Sequence, residues 1–258
     1  MAYANLQITK AEGVGEILID RDDIRNALAP EVRRDLLACF GDLAYDDQVR
    51  VILLSGQGHS FSAGGSIRHF AEQTKKSPQE VREELDEIIQ LFQIIPRLTK
   101  PVIAAVNGHA LGGGCGLALC CDITLASDRA SFGFPEITRG FVPALVAVPC
   151  LQRVPLKKAT ELLLSGETLN CSEAVAAGLA SRCVPHEELL PAARQLAQRL
   201  AGFSPSAIRS LKQLLFTLAS SQYESALFTA REVSALMRFS KDFEAGVAEF
   251  LGRKEDSK

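Results

Sequence analysis

The chain has 258 residues, 47% of them hydrophobic and 23% charged, with a net charge of -3. That length can bury a sizeable core, and that composition excludes a disordered chain. The slight negative balance excludes bulk-charge binding of nucleic acid, so an anionic ligand would be held by local cations and helix ends.

Taken in chain order, the opening MAYANLQITKAEG lacks a basic region followed by an apolar one, so no signal peptide is expected there. Residues 14–20 (VGEILID) alternate as a strand does, and 49–55 (VRVILLS) form an apolar run suited to a doubly buried strand. Ser77-Pro78-Gln79-Glu80 has the form of a capping box with Pro at the first helical position. Val81, Leu85, Ile88, Phe92 and Ile95 then make one apolar helical stripe that Pro96 is expected to end. Residues 102–106 (VIAAV) and 123–126 (ITLA) read as two further short buried strands. Strands alternating with helices point to a parallel sheet covered by helices.

From Ser204-Pro205 onward the pattern turns wholly helical. Ile208, Leu211, Leu214, Leu215 and Leu218 share a face, and helical stretches near 222–238 and 241–252 follow. So apolar a tail must pack on its own body, on another subunit, or on both. No apolar run approaches the ~20 residues of a membrane span, and a cytoplasmic protein without a membrane partner is expected. The seven cysteines lack metal-ligand spacing and read as small buried hydrophobes of a reduced compartment.

Two glycine-rich segments each follow a predicted buried strand. The first runs from His59 to Arg68 (HSFSAGGSIR), the second from Asn107 to Gly116 (NGHALGGGCG). Glycines opening a helix admit a ligand closely and offer free N–H groups at the positive end of the helix dipole. An anion, or a carbonyl becoming one, suits that place. The other reading is a tight strand-to-helix turn with no ligand. Neither segment ends in GKS or GKT or contains a proper GxGxxG, so phosphate-loop and dinucleotide readings are weak.

Together with their surroundings, these segments identify a resemblance. Arg25-Asn26-Ala27-Leu28, then FSAGGSI, KPVIAAVNGHALGGGCGLALCCD, SFGFPEITRGFVP and LLLSGETLNCSEAVAAGLASRCVP occur in the order found in the crotonase superfamily, the enoyl-CoA hydratase/isomerase family. The resemblance implies an α/β fold, a repeated ββα superhelix over residues 1–200 carrying an acyl-CoA site. A C-terminal helical trimerisation region over 201–258 would complete it. It implies a homotrimer or a dimer of trimers, coenzyme A present as part of a thioester substrate, no prosthetic group and no metal.

Residue by residue, the resemblance makes Gly65 and Gly113 the two oxyanion N–H donors and Glu136 the acid/base carboxylate. Ala63 would meet the adenine, with Asn26 and Ala27 flanking it. Ile67 belongs to the same cofactor-binding loop, and Arg25 and Arg68 stand where the family places cations near the phosphates. Phe250 and Arg253 match C-terminal positions that often reach the cofactor, sometimes from a neighbouring subunit. For the arginines, a solvated surface charge is the competing reading.

Two departures from the family pattern matter. Hydratases commonly carry a first glutamate three residues after the middle glycine, and here that position is Gly116. Ser66 stands where Asp is frequent. Gly116-Leu117, Cys120-Cys121-Asp122-Ile123 and Val142-Pro143-Ala144 resemble one-glutamate bacterial members similar to methylglutaconyl-CoA hydratase, in which space at Gly116 would accept a branched or carboxylated acyl group. Hydration of a 2-enoyl-CoA is the leading expectation. One-glutamate double-bond isomerisation, decarboxylation or thioester hydrolysis, and a catalytically silent acyl-CoA-binding paralogue are the alternatives. A serine-peptidase reading finds no support, because none of His59, His69, His109 and His186 sits in a recognisable triad context.

Overall fold

The computed structural model describes residues 3–255, without the side chains of Ile67 and of residues 252–255. Strands β1 (Leu6–Ala11) and β2 (Val14–Ile19) form an antiparallel hairpin, followed by helix α1 (Pro30–Tyr45). The chain then repeats one manoeuvre three times, laying a strand in each of two sheets before turning into helix. These pairs are β3 (Val51–Gly56) with β4 (Ser60–Ser62), β5 (Val102–Val106) with β6 (His109–Leu111), and β7 (Ile123–Ser127) with β8 (Ser131–Gly133). Helices α2 (Ile67–Gln73) and α3 (Pro78–Arg97) follow the first pair, α4 (Gly113–Cys120) the second, and α5 (Ala144–Arg153) and α6 (Leu156–Ser165) the third. Strand β9 (Thr168–Asn170), α7 (Cys171–Ala177), β10 (Arg182–Val184) and α8 (Leu189–Ala201) close the body.

The larger sheet has the order β1-β2-β3-β5-β7-β10, parallel from β2 onward, and the smaller one the order β4-β6-β8-β9. This is the expected ββα superhelix. The period-2 alternation of strands explains how the large sheet buries both faces. Val51, Leu53, Ile103 and Ala105 point toward Leu189, Ala193 and Ala197 of α8. Their neighbours Ile52, Leu54, Val102 and Ala104 point into the larger core with Leu36 and Phe40 of α1 and Leu91 and Ile95 of α3.

The expected capping box at Ser77 and Glu80 is formed. Pro96, expected to end α3, lies inside its last turn, and the helix stops one residue later at Arg97. A proline costs little so near a C-terminus, where only its own N–H bond to the preceding turn is lost.

Helices α9 (Pro205–Leu218), α10 (Tyr223–Met237) and α11 (Lys241–Glu255) form the all-helical tail. Its firmest tie to the body is Lys212, 8% exposed, whose Nζ lies 2.7 Å from Asp122 Oδ2. The ammonium also donates to the carbonyls of Ile95 and Lys100 at 3.0 and 2.9 Å, while Asp122 Oδ2 accepts from the Val102 N–H at 2.7 Å. The expected apolar stripe of α9 is only partly covered: Leu211 and Leu215 remain 52% and 59% exposed.

The cysteine expectation needs correction. Cys171 at the start of α7 and Cys183 on β10 form a disulfide, their Cα atoms 5.7 Å apart. Pairing of β10 beside β7 brings these two residues within bridging distance, which a spacing of 12 in sequence does not reveal. The other five cysteines are buried and free, as expected. Among the described residues no helix is long and apolar enough to cross a membrane.

Candidate active site

Both glycine-rich loops arrive at one place because β4 and β6 are parallel neighbours in the small sheet. Each loop leaves its strand at the same end, so Gly64-Gly65 and Gly112-Gly113 meet. A Cβ placed on Gly64 (φ +80°) would stand 2.8 Å from the Gly113 nitrogen. The Gly64 carbonyl accepts from the Leu28 N–H at 2.7 Å, and the Ala63 N–H donates to the Arg25 carbonyl at 3.0 Å. The 25–28 segment is thereby stitched to the first loop.

Gly113 is the first residue of α4 and Gly112 its cap. The N–H groups of a helix's first turn have no intrahelical acceptor. Among the described residues neither the Gly65 nor the Gly113 N–H donates to a protein acceptor. Two donors without a competing bond, one of them at the N-terminus of α4, can hold an oxygen on which negative charge develops. The rest of α4 is buried from Gly114 to Cys120, which leaves the site open only at that helix end.

Glu136 comes from a 3-10 turn, Pro135–Arg139, immediately after β8. The turn is anchored because β8 pairs with β6 and the Gly133 carbonyl accepts from the Gly112 N–H at 2.8 Å. The carboxylate lies against Gly112: a Cβ there would be 2.6 Å from Glu136 Oε1, and the backbone has φ +51°. Glycine is needed at 112 on both counts. Glu136 Oε2 is buried and has no hydrogen-bond partner among the described residues. Burial pushes the carboxyl pKa upward, opposed by bonding to its own backbone N–H and by the charge of Arg139. A half-buried carboxylate with one unpartnered oxygen and a raised pKa, beside two free N–H donors, is equipped to move a proton next to an enolate.

An aromatic bridge joins the two halves of this arrangement. Phe70 of α2 packs its ring directly on Gly65, and its centroid lies 5.1 Å from that of Phe141. The Phe141 N–H donates to the Glu136 carbonyl at 3.1 Å. Ser66, noted as a departure from the family pattern, caps α2 by accepting the His69 N–H at 3.4 Å.

The structure gathers Gly65, Gly113, Glu136, Ala63 and the Arg25–Ala27 segment around this point. Asn26 is buried and acts as a brace, its amide donating to the carbonyls of Gln57 and Ser60 at 2.9 and 2.7 Å. Ala27 is buried, while Arg25 and Arg68 are exposed at the rim. Phe250 lies on α11 and is 60% exposed. The side chains of Ile67 and Arg253 lie outside the described residues.

The expectation of open space at Gly116 is overturned. A Cβ there would stand 2.7 Å from Cζ of Phe92 and 3.0 Å from Cγ1 of Val146. The ring of α3 and the methyl of α5 fill the place. Phe92 appeared in the sequence only as one member of a core stripe; its facing Gly116 depends on how α3 crosses α4, which no local pattern reports.

With this geometry in view, the comparisons with known proteins agree with one another. A family profile described as enoyl-CoA hydratase/isomerase matches residues 9–257. A putative enoyl-CoA hydratase of Thermus thermophilus is 34% identical, covering 96% of this chain and 98% of its own. The 2,3-dehydroadipyl-CoA hydratase of Escherichia coli is 32% identical over 97% of each chain, and the crotonyl-CoA hydratase of Syntrophomonas wolfei is 32% identical over 99% and 98%. A crystal structure of an enoyl-CoA hydratase from Geobacillus kaustophilus superposes with a TM-score of 0.91 at 32% identity, covering 98% of this chain and 97% of that one.

Proposed function

Since the chain belongs to the enoyl-CoA hydratase/isomerase family, an enzyme family acting on acyl-CoA thioesters, we propose that it adds water across the double bond of a 2-enoyl-CoA with Glu136 as its single acid/base carboxylate. The observation that carries this reading is Glu136 Oε2, buried without a partner beside the helix end that bears the Gly113 N–H. A buried carboxylate oxygen left unpaired costs stability. Such an atom is retained where a substrate proton or water completes it.

The thioester oxygen sits between the N–H groups of Gly65 and Gly113. Glu136 removes a proton from water as the water oxygen bonds to C3, and the C2–C3 π electrons move onto the thioester oxygen as an enolate. The same carboxyl then returns a proton to C2, and the sum is one water added. Loss of one such N–H donor costs about 2.7–4 kcal/mol of transition-state stabilisation in enzymes generally. Ala63 and the Asn26-Ala27 segment flank the adenine, with Ile67 at the start of α2 beyond the loop and Arg25 and Arg68 at the phosphates. The α11 segment that holds Phe250 and Arg253 serves the cofactor, in its own subunit or in a neighbouring one.

The tail from α9 to α11 carries Leu215, Leu227, Phe228, Leu236 and, between α10 and α11, Phe239, all more than half exposed, which supports assembly into a trimer or a dimer of trimers through this tail. A monomer in light scattering would exclude that assembly. A lone carboxylate also suits the isomerase alternative, in which Glu136 carries a proton between C2 and C4. Incubation with trans-2-butenoyl-CoA in deuterated water separates the two. A product heavier by one heavy water establishes hydration, whereas deuterium uptake without added water establishes isomerisation. The relatives' names span a crotonyl and a dehydroadipyl group at equal identity, so the acyl group has to be read from the site itself.

A further inference from the structure

We infer that Phe92, with Val146, forms the end wall of the acyl site and restricts the chain to short, uncharged acyl groups; this rests on the assignment of Glu136 above. Gly112 caps α4 and Gly116 lies one turn further along it, joined by the Gly116 N–H donating to the Gly112 carbonyl at 3.0 Å. Over Gly112 stands Glu136 Oε1, and over Gly116 stand the Phe92 ring and a Val146 methyl. The carboxylate and the ring therefore stand over backbone positions four residues apart, separated by one turn, or about 6 Å, along the start of α4.

An acyl group with its carbonyl oxygen at the start of α4 and its C2–C3 bond beside Glu136 has that one turn before it meets the ring. A four-carbon chain fits the interval, and an eight-carbon chain runs into Phe92. The wall is a ring edge, a methyl and a glycine, so it offers no partner to a charged acyl end. A second carboxylate would also share the desolvated space that already raises the Glu136 pKa, where like charges repel.

The ring is firmly placed. Leu91 and Ile95 on either side of it are fully buried, and Glu87 one turn back pairs with the buried Arg33 at 2.8 Å. Phe92 itself is only half-buried, as a wall contacted by substrate requires. Its partner Val146 belongs to the first turn of α5, a few residues beyond the turn that carries Glu136.

The test compares kcat/KM for trans-2-butenoyl-, trans-2-octenoyl- and glutaconyl-CoA in the wild type, Phe92→Ala, Val146→Ala and Phe92→Leu. In parallel, calorimetry gives the Kd of saturated butanoyl- and octanoyl-CoA. Removing most of the ring in Phe92→Ala raises the octenoyl-to-butenoyl ratio about tenfold or more, given that a methylene in an apolar pocket is worth 10-fold to 200-fold. Val146→Ala raises it less, and Phe92→Leu, which keeps most of the volume, guards against a general loss of folding. The octanoyl-to-butanoyl affinity ratio moves in the same direction. A wild type that takes octenoyl- or glutaconyl-CoA as readily as butenoyl-CoA overturns the wall, as does an unchanged ratio in both alanine variants. If no enoyl-CoA is turned over yet the affinity ratio shifts, the hydratase reading fails and the wall stands.

Discussion

Two half-buried carboxylates in this molecule are treated in opposite ways. Glu84 on α3 accepts from Lys76 Nζ, from Gln73 Nε2 at 2.7 Å and from His69 Nε2 at 3.1 Å, which fastens α2 to α3. The Lys76 bond, then the Gln73 bond, lower its pKa to about 2. Glu136 lies in a turn with one oxygen buried and unpaired, and burial raises its pKa. The fold supplies partners where a carboxylate holds helices together and leaves an oxygen without one where proton exchange is proposed. Partnerless burial, more than the presence of a glutamate, marks the reactive group.

The contrast can be broken at its backbone support. Gly112→Ala places a Cβ 2.6 Å from Glu136 Oε1, at a φ that alanine resists. A carboxylate displaced by about 1 Å predicts a loss near a hundredfold in kcat/KM, measured on butenoyl-CoA. A wild-type rate would show that the carboxylate's seat on Gly112 is irrelevant.

Stability sharpens the contrast from the other side. Glu84→Gln removes a screened but multiply bonded carboxylate and should cost about 1 kcal/mol at neutral pH. Its folded pKa lies below the unfolded one, so this contribution is present above the ordinary carboxylate range and fades as pH falls toward 2. Denaturant melts across that range read it directly. Glu136→Gln predicts the opposite sign. A raised folded pKa means that ionisation costs stability at neutral pH, so the amide variant melts slightly higher there. The difference disappears once the pH falls below the ordinary carboxylate value. A lower melting temperature at neutral pH would mean that the carboxylate is held by favourable contacts after all. For the same reason, the acid limb of kcat/KM should fall above the ordinary glutamate value of about 4.3.

Much of this was legible in the sequence wherever period and chemistry are local. Strand β5 spans the VIAAV run, α9 begins at Pro205 behind its Ser204 cap, and Ser77 and Glu80 form their box. The two glycine loops were readable because each follows a buried strand, although that β4 and β6 pair and so bring the loops together is a property of the sheet. The three-residue strands of the small sheet are too short to show a period. What stayed hidden depends on crossings between distant elements: Phe92 over Gly116, Phe70 over Gly65 and the Cys171–Cys183 bridge. Arg33 was equally silent, yet it is buried, pairs with Glu87 and donates to the Leu28 carbonyl at 2.9 Å beside the first loop. A missing glutamate at 116 read as a hole because a sequence shows the side chain that is absent and not the one that fills its place.

The most direct measurement is turnover of trans-2-butenoyl-CoA by Glu136→Gln, with the affinity for butanoyl-CoA determined on the same preparation. Removal of the proposed acid/base carboxylate predicts a fall in kcat of roughly 10²–10⁴ with affinity retained within a few-fold. Turnover equal to that of the wild type would contradict the role given to Glu136 and, with it, the proposed chemistry of the site.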